Sequence, residues 1–243
     1  KKLVDAGVIP ADSVSSGVPS IASTVRANLA AGFSIVSFNL SVTNTEKSIG
    51  HGLNTAPTFF IIKNRSSAEN WYVYTTAIDG TLDFRYLNST EAFSASSRTL
   101  PTSSVFYFAS PTTGDHIAYC FAPVEGYSAI GTYTGNGASG YPDADGPFIY
   151  LGFRPAWVLW KCQSQVENWT IYDTARGPFN WIDNKLLANS SAAESTNANH
   201  EIDFLSNGFK VRNNNGEFNQ NNGTYLYVAF AENPFQANGG LAR

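Results

Sequence analysis

Glu69 and Glu167 are the carboxylates whose repetition first raises the question of chemistry. Each opens a Glu-Asn-Trp pattern, in "ENWYVY" (69–74) and "ENWTIY" (167–172). Paired carboxylates cleave glycosidic bonds when they face each other across a cleft at a suitable separation. These two lie 98 positions apart (167 − 69) inside a wider repeat, so we expect them in equivalent turns of separate copies. Asp83 and Glu91 supply no clearer pair. His51, His116 and His200 are scattered and match no metal spacing such as His-Glu-x-x-His, and His51, in "GHGL", reads as a flexible turn. Neither a P-loop nor a dinucleotide fingerprint occurs, and no Ser/His/Asp order points to a triad. The expectation is a protein that is not an enzyme.

Three other groups can carry binding. In "YPDADG" (141–146), Asp143 and Asp145 precede Gly146, a fragment of a calcium loop that lacks the later Glu; a plain Asp/Gly turn is the competing reading, and no other cofactor is expected. In "NNNGEFNQNNG" (213–223), Asn214, Asn215, Asn219 and Asn221 offer amides suited to sugar hydroxyls, with Phe218 placed to stack. The same stretch also reads as a long solvated hairpin loop. Trp71 and Trp169 have faces suited to sugars. Alternation nevertheless sets them with Val73 and Ile171, which favours the core.

The elements that must position these residues come from a duplication. The offset of 98 also joins Lys63 to Lys161 and Pro57 to Pro155, while "HIAYCFAPV" (116–124) resembles "YLYVAFAEN" (225–233) at an offset of 109 (230 − 121). The stretch 213–223 is the main excess of the second copy. Short aromatic and β-branched runs recur: "FSIVSFNL", in which Phe33 and Ile35 alternate with Ser34; "TFFIIK"; "SVFYFAS"; "AWVLWK"; and "TYLYVAFAE". "PTTGD" (111–115) and the Ser-Asn-Gly of "FLSNGFKVR" signal hairpins. Helical periodicity is scarce, with one or two turns conceivable in "NKLLANSSAAEST" (184–196). The fold class expected is all-β with little helix: a tandem-duplicated antiparallel β-sandwich, jelly-roll or lectin-like. Boundaries fall at 1–31 (a Pro/Ser/Gly/Ala-rich linker or extended arm), 32–127 and 128–236 (the repeats), and 237–243 (a tail). Two sandwiches are preferred to one fused sandwich.

Composition narrows the partners. Charged residues are 14% of 243, well below the roughly 25% of an average soluble domain, so the surface is polar but weakly charged. A net charge of −4 without Lys/Arg runs argues against nucleic acid, and no apolar stretch approaches the roughly 20 residues of a membrane span. Cys120 and Cys162 are not expected to pair. The absence of Met reads most simply as a segment of a longer or processed chain.

Several stretches resemble a known family. "STVRANLAAGFSIVSF" (23–38), "GHGLNTAPTFFIIKNRSSAENWYVY" (50–74), "AYCFAPVEGYSAIGTYTGNG" (118–137), "GFRPAWVLWK" (152–161), "NWTIYDTAR" (168–176) and "YVAFAENPF" (227–235) are similar to a duplicated β-rich domain in tail fibres and other virion appendages of tailed bacteriophages, many from marine bacteria and cyanobacteria. The resemblance implies an extracellular location on the virion, contacts with other virion proteins and a homotrimer. It implies no catalytic residues. The function expected is recognition of a host surface glycan or receptor during adsorption. The alternatives are a purely structural decoration or connector protein and a polysaccharide-degrading tailspike.

Overall fold

The computed structural model describes residues 18–140, 144–196 and 200–234, together with the backbone of Val8–Ile9. Asp143 and the 237–243 tail lie outside the described residues. The fold is all-β, as expected. The chain divides into two compact units, one of residues 1–86 and 94–123, the other of residues 87–93 and 124–243. The main division falls between residues 123 and 124, and the second unit also takes a short segment from inside the first repeat.

In the first unit, one wide antiparallel sheet runs in the order β1 (Val8–Ile9), β2 (Ser23–Asn28), β3 (Phe33–Leu40), β10 (Gly114–Phe121), β5 (Phe59–Asn64), β6 (Tyr72–Thr75), β7 (Asp83–Tyr86) and β8 (Ser94–Ala95). Facing it is a two-stranded sheet of β4 (Lys47–Gly50) and β9 (Val105–Phe108). The core is where the two meet: Phe106 lies 5.8 Å from Phe38 and 5.4 Å from Phe60, and Phe108 lies 5.2 Å from Tyr72. Alternation along β3 places Ser34, Val36, Phe38 and Leu40 on the buried face. The Phe33/Ile35 face is half-buried, because Phe33 packs on Phe121 at 4.8 Å.

Several expectations change here. Residues 23–28, read as linker, form a strand paired along its length with β3, since Ser23 and Val25 turn inward. "PTTGD" joins β9 to β10, which belong to different sheets, so it is a crossover and not a hairpin. His51 is no flexible turn: it is buried, its Nε2 lies 3.1 Å from the Thr102 carbonyl, and its Nδ1 accepts from the Leu53 amide. His116 is also buried and stacks on Phe38.

The second unit repeats the plan. β11 (Ser128–Thr134), β19 (Thr224–Ala231), β13 (Pro155–Cys162), β14 (Trp169–Asp173), β15 (Asn184–Leu187) and β16 (Ser195–Thr196) follow in the order that β3, β10, β5, β6, β7 and β8 follow in the first. Registers are kept: Phe60 opposes Cys120 as Val158 opposes Ala229, and Ile61 opposes Val73 as Leu159 opposes Ile171. The covering sheet is β12 (Phe148–Tyr150), β18 (Gly208–Val211) and β17 (Ile202–Leu205), with Trp160 edge-on to Phe209 at 5.1 Å across the core. β17 and β18 form the hairpin that Ser-Asn-Gly signals. The residues conceivable as helical turns instead begin with strand β15. Cys120 and Cys162 are buried free thiols.

The repeated hexapeptide now has a physical meaning. In each copy a strand lysine reaches back to the carbonyl that opens the next hairpin arm: Lys63 Nζ donates to the Glu69 carbonyl, and Lys161 Nζ to the Glu167 carbonyl at 2.5 Å. The tryptophans do not share one fate. Trp169 is fully buried, edge-on to Phe93 at 5.6 Å, because the 87–93 segment belongs to its unit. Trp71 precedes β6 and is 37% exposed, with the Lys63 ammonium 5.8 Å from its ring. The core reading therefore holds for Trp169 and fails for Trp71. Trp169→Ala should cost about 3–5 kcal/mol in denaturant unfolding, and Trp71→Ala less than about 1 kcal/mol.

Candidate functional site

Strand alternation builds the candidate site. On β6, Tyr72 and Tyr74 point to the face opposite Val73; on β7, Phe84 and Tyr86 point to the face opposite Arg85. The registers Tyr72 to Tyr86 and Tyr74 to Phe84 set the four rings side by side. Tyr72 lies 5.3 Å from Tyr86, Tyr74 5.3 Å from Phe84, and Phe84 5.0 Å from Tyr86. These rings line a cleft of about 340 Å³ on the flank of β9. Its polar wall comes from the segment after β8, with Ser96, Ser97 and Arg98.

The Tyr72 and Tyr74 hydroxyls keep their protons. Burial raises the Tyr72 phenol well above its ordinary value, reinforced by its hydrogen bond to Glu69 Oε2 at 3.0 Å. Burial pushes the Tyr74 phenol up to about 12, although the Arg98 guanidinium, which donates to its oxygen, pulls the other way. The Glu69 carboxylate also accepts from Ser110 Oγ at 3.1 and 3.2 Å. The duplicated glutamate is thus a positioning group for Tyr72. Glu69 and Glu167 belong to different units, as their places in the repeat imply.

Among the described residues, the equivalent space in the second unit is occupied. Its register sets Thr170 opposite Leu187, so Thr170, Tyr172, Lys185 and Leu187 stand where the first unit has Tyr72, Tyr74, Phe84 and Tyr86. That space is filled by the stretch peculiar to the second copy. Phe218 is fully buried, 5.8 Å from Tyr172 and 6.0 Å from Trp160. Glu217 Oε2 accepts from Lys185 Nζ at 2.6 Å and Oε1 accepts from Asn168 Nδ2 at 2.7 Å. The Tyr172 hydroxyl donates to the His200 carbonyl at 2.8 Å.

Burial takes Phe218 and Asn219 out of the set expected to bind ligand, and the stretch is not the long solvated hairpin loop of the competing reading. Phe218 cannot stack on a ligand because it is core, and Asn219 is fully buried, donating to the Asn213 carbonyl at 2.8 Å and accepting from the Asn136 amide. Asn215 accepts from the Glu217 amide and lies 3.0 Å from His200 Nε2, so its side chain is spent on the loop itself. Of the five residues expected to bind ligand, Asn214 and Asn221 are exposed. The amides are abundant because they cap turns and saturate backbone groups. Gly135, in the "TGNG" turn, packs so closely against the Gln220 carbonyl that it has no room for a Cβ.

Of the calcium-loop fragment only Asp145 is described, and it is exposed beside Lys210. Asp145 accepts from Lys210 Nζ at 2.5 Å, and that hydrogen bond holds its carboxyl below the usual range. No group of three or more potential metal ligands occurs among the described residues. The aromatic cleft was missed in the sequence, although "WYVY" and "DFRY" already carry aromatic residues at i and i+2 on adjoining strands. That signal does not separate a covered face from an open one.

A family model matches residues 10–234, nearly the whole chain, and its description is a domain of unknown function, DUF7483. The chain belongs to the DUF7483 family. No match was found among curated proteins or among solved structures. The match spans both units, so the DUF7483 domain is the duplicated pair and not a single repeat.

The buried cluster of the second unit makes its stability pH-dependent. Burial would raise Glu217, but hydrogen bonds from Asn168 and Lys185 and the Lys185 charge outweigh it and leave the group below its ordinary 4.5. Burial, helped by the Lys185 charge, holds His200 below its ordinary 6.5. Groups depressed in the folded state lend stability above their ordinary values and lose it as pH falls toward the folded ones. Burial and Glu217 raise Glu167, which works in the opposite sense. We expect the second unit to weaken first below pH 6.5 through His200 and again below 4.5 through Glu217. Melting curves across that range check this. Lys185→Met, which strands the Glu217 charge, should cost about 3–5 kcal/mol.

Proposed function

We propose that this protein is a non-enzymatic virion appendage of the tail-fibre type, and that the first unit recognises a glycan on the host surface through the cleft over β6–β8. One observation carries the binding part. The cleft has four aromatic side chains and a polar rim, and its counterpart in the second unit is filled by Glu217 and Phe218. Aromatic faces suit the C–H faces of sugars, while hydroxyls and a guanidinium suit their oxygens. A volume of about 340 Å³ lies at the lower end of small-molecule sites and fits a short stretch of a sugar chain. A single weak site of this kind becomes effective when several copies act together, which a homotrimer and repeated appendages would supply. The virion assignment is supported by the resemblance to phage appendage proteins.

The purely structural reading also has a specific observation in its favour. Tyr150 is 69% exposed and Phe179 81%, with Phe148 and Trp181 also exposed, and aromatic groups of this kind suit contact with another protein. The 213–223 stretch does not add to that reading, because its buried side chains, Glu217, Phe218 and Asn219 among them, are buried within their own unit.

Glycan binding is tested with the intact chain on host cells and isolated cell-surface polysaccharide, before and after periodate oxidation. We expect binding that oxidation abolishes, and at least a tenfold loss, about 1.4 kcal/mol, for Tyr86→Ala with an unchanged melting temperature. Binding that survives both treatments would move the assignment to the exposed aromatics and to a structural role.

A further inference from the structure

The charge pattern of the cleft says which sugars it takes, and this inference rests on the glycan-binding reading above. We infer that the cleft binds the acidic residue of a glycan, a uronate or a sulfated sugar, and that Arg98 is the residue that selects for charge.

Among the described residues, Arg98 is the one charged side chain lining the cleft. Its guanidinium reaches the Ala109 carbonyl through Nη2 at 3.4 Å and the Tyr74 hydroxyl oxygen. A guanidinium has five N–H donors, so these two contacts leave further donors for a ligand. Because the Tyr74 oxygen accepts from Arg98, its own proton is directed elsewhere, which adds a neutral donor beside the cation.

Two carboxylates act on the cleft tyrosines from beside the cleft without lining it, and each takes hydrogen bonds from its own neighbours. Glu69 takes hydrogen bonds from Tyr72 and Ser110, and Glu46 takes them from the Thr99 amide at 3.2 Å and the Thr99 hydroxyl at 2.7 Å. Asp83 alternates with Phe84 and belongs to the other face of β7. The cleft therefore presents a cation and the Tyr74 hydroxyl over aromatic walls, where a charge-assisted hydrogen bond is stronger than in open water.

The second unit fills the corresponding position with an acid, held there by Lys185, a cation that the first unit lacks. There the chain supplies its own carboxylate, Glu217, beside Lys185 and Tyr172, the counterparts of Phe84 and Tyr74. One copy of the repeat thus holds an internal acid in the place that the other leaves open. The chain as a whole carries a net charge of −4, which repels anions at long range, so the preference must be set by short-range contacts at Arg98.

The test uses the full chain with four polymers: polygalacturonate, the same polymer with its carboxyl groups reduced, dextran sulfate and dextran. We expect polygalacturonate or dextran sulfate to bind at least about tenfold more tightly than its neutral counterpart, and the responding pair identifies the acid as carboxylate or sulfate. Arg98→Gln should remove that ratio while leaving residual binding, and Arg98→Lys should restore part of it. Equal binding of acidic and neutral polymers by the parent chain would overturn the acid preference alone, and so would an undiminished ratio in Arg98→Gln. The parent ratio stands as a test even if that variant does not fold. Binding to none of the four, and to no host polysaccharide, would overturn the glycan reading together with this inference.

Discussion

Phe106 and Phe108 of β9 are the contact on which the first unit depends. Through them a two-stranded sheet covers part of a sheet four times as wide. A β-sandwich is stable only where one apolar face is laid over another, and two strands cannot shield the whole of an eight-stranded face. β3, β10 and β5 lie under the cover. Phe84 and Tyr86 of β7 stay partly exposed, and the cleft opens beyond the flank of β9. The opening is therefore a direct result of unequal sheet widths.

The second unit meets the same constraint differently. Its cover has three strands, and the stretch after β18 adds Glu217 and Phe218 over β14 and β15. The price of filling the space with a charged residue is that Lys185 needs a partner in the dry interior, and Glu217 is that partner. Its two oxygens are held by Lys185 and Asn168, so neither is left without a donor. Extra chain thus fills the space in one copy while the shorter copy keeps a cleft there.

The lysine-to-carbonyl contact is what both units share. Lys161 is fully buried, and its ammonium is satisfied by the carbonyls of Glu167 and Thr90. In the first unit Lys63 makes the corresponding contact with Glu69 but remains partly exposed, and its neighbour Trp71 with it. The same local device supports a dry corner in one copy and a wet one in the other. The difference comes from the 87–93 segment, which supplies Thr90 and Phe93 to the second unit.

By itself the sequence determined the all-β class, the duplication and most strands, because alternation, β-branched runs and turn residues act locally. It also determined the Lys-to-Glu-Asn-Trp spacing, whose meaning is the hairpin contact. Tertiary structure decided which repeated residues are covered. Trp71 and Trp169 have the same local pattern, and only the arrival of Phe93 distinguishes them. Phe218 among asparagines looks like a loop tip until the space beside Tyr172 is known to need filling. Residues 23–28 carry too short an alternation to declare a strand, yet the open edge of β3 gives their backbone a partner. Local chemistry is written in neighbouring residues, whereas burial is set by segments far apart in the chain, and the cleft depends on burial.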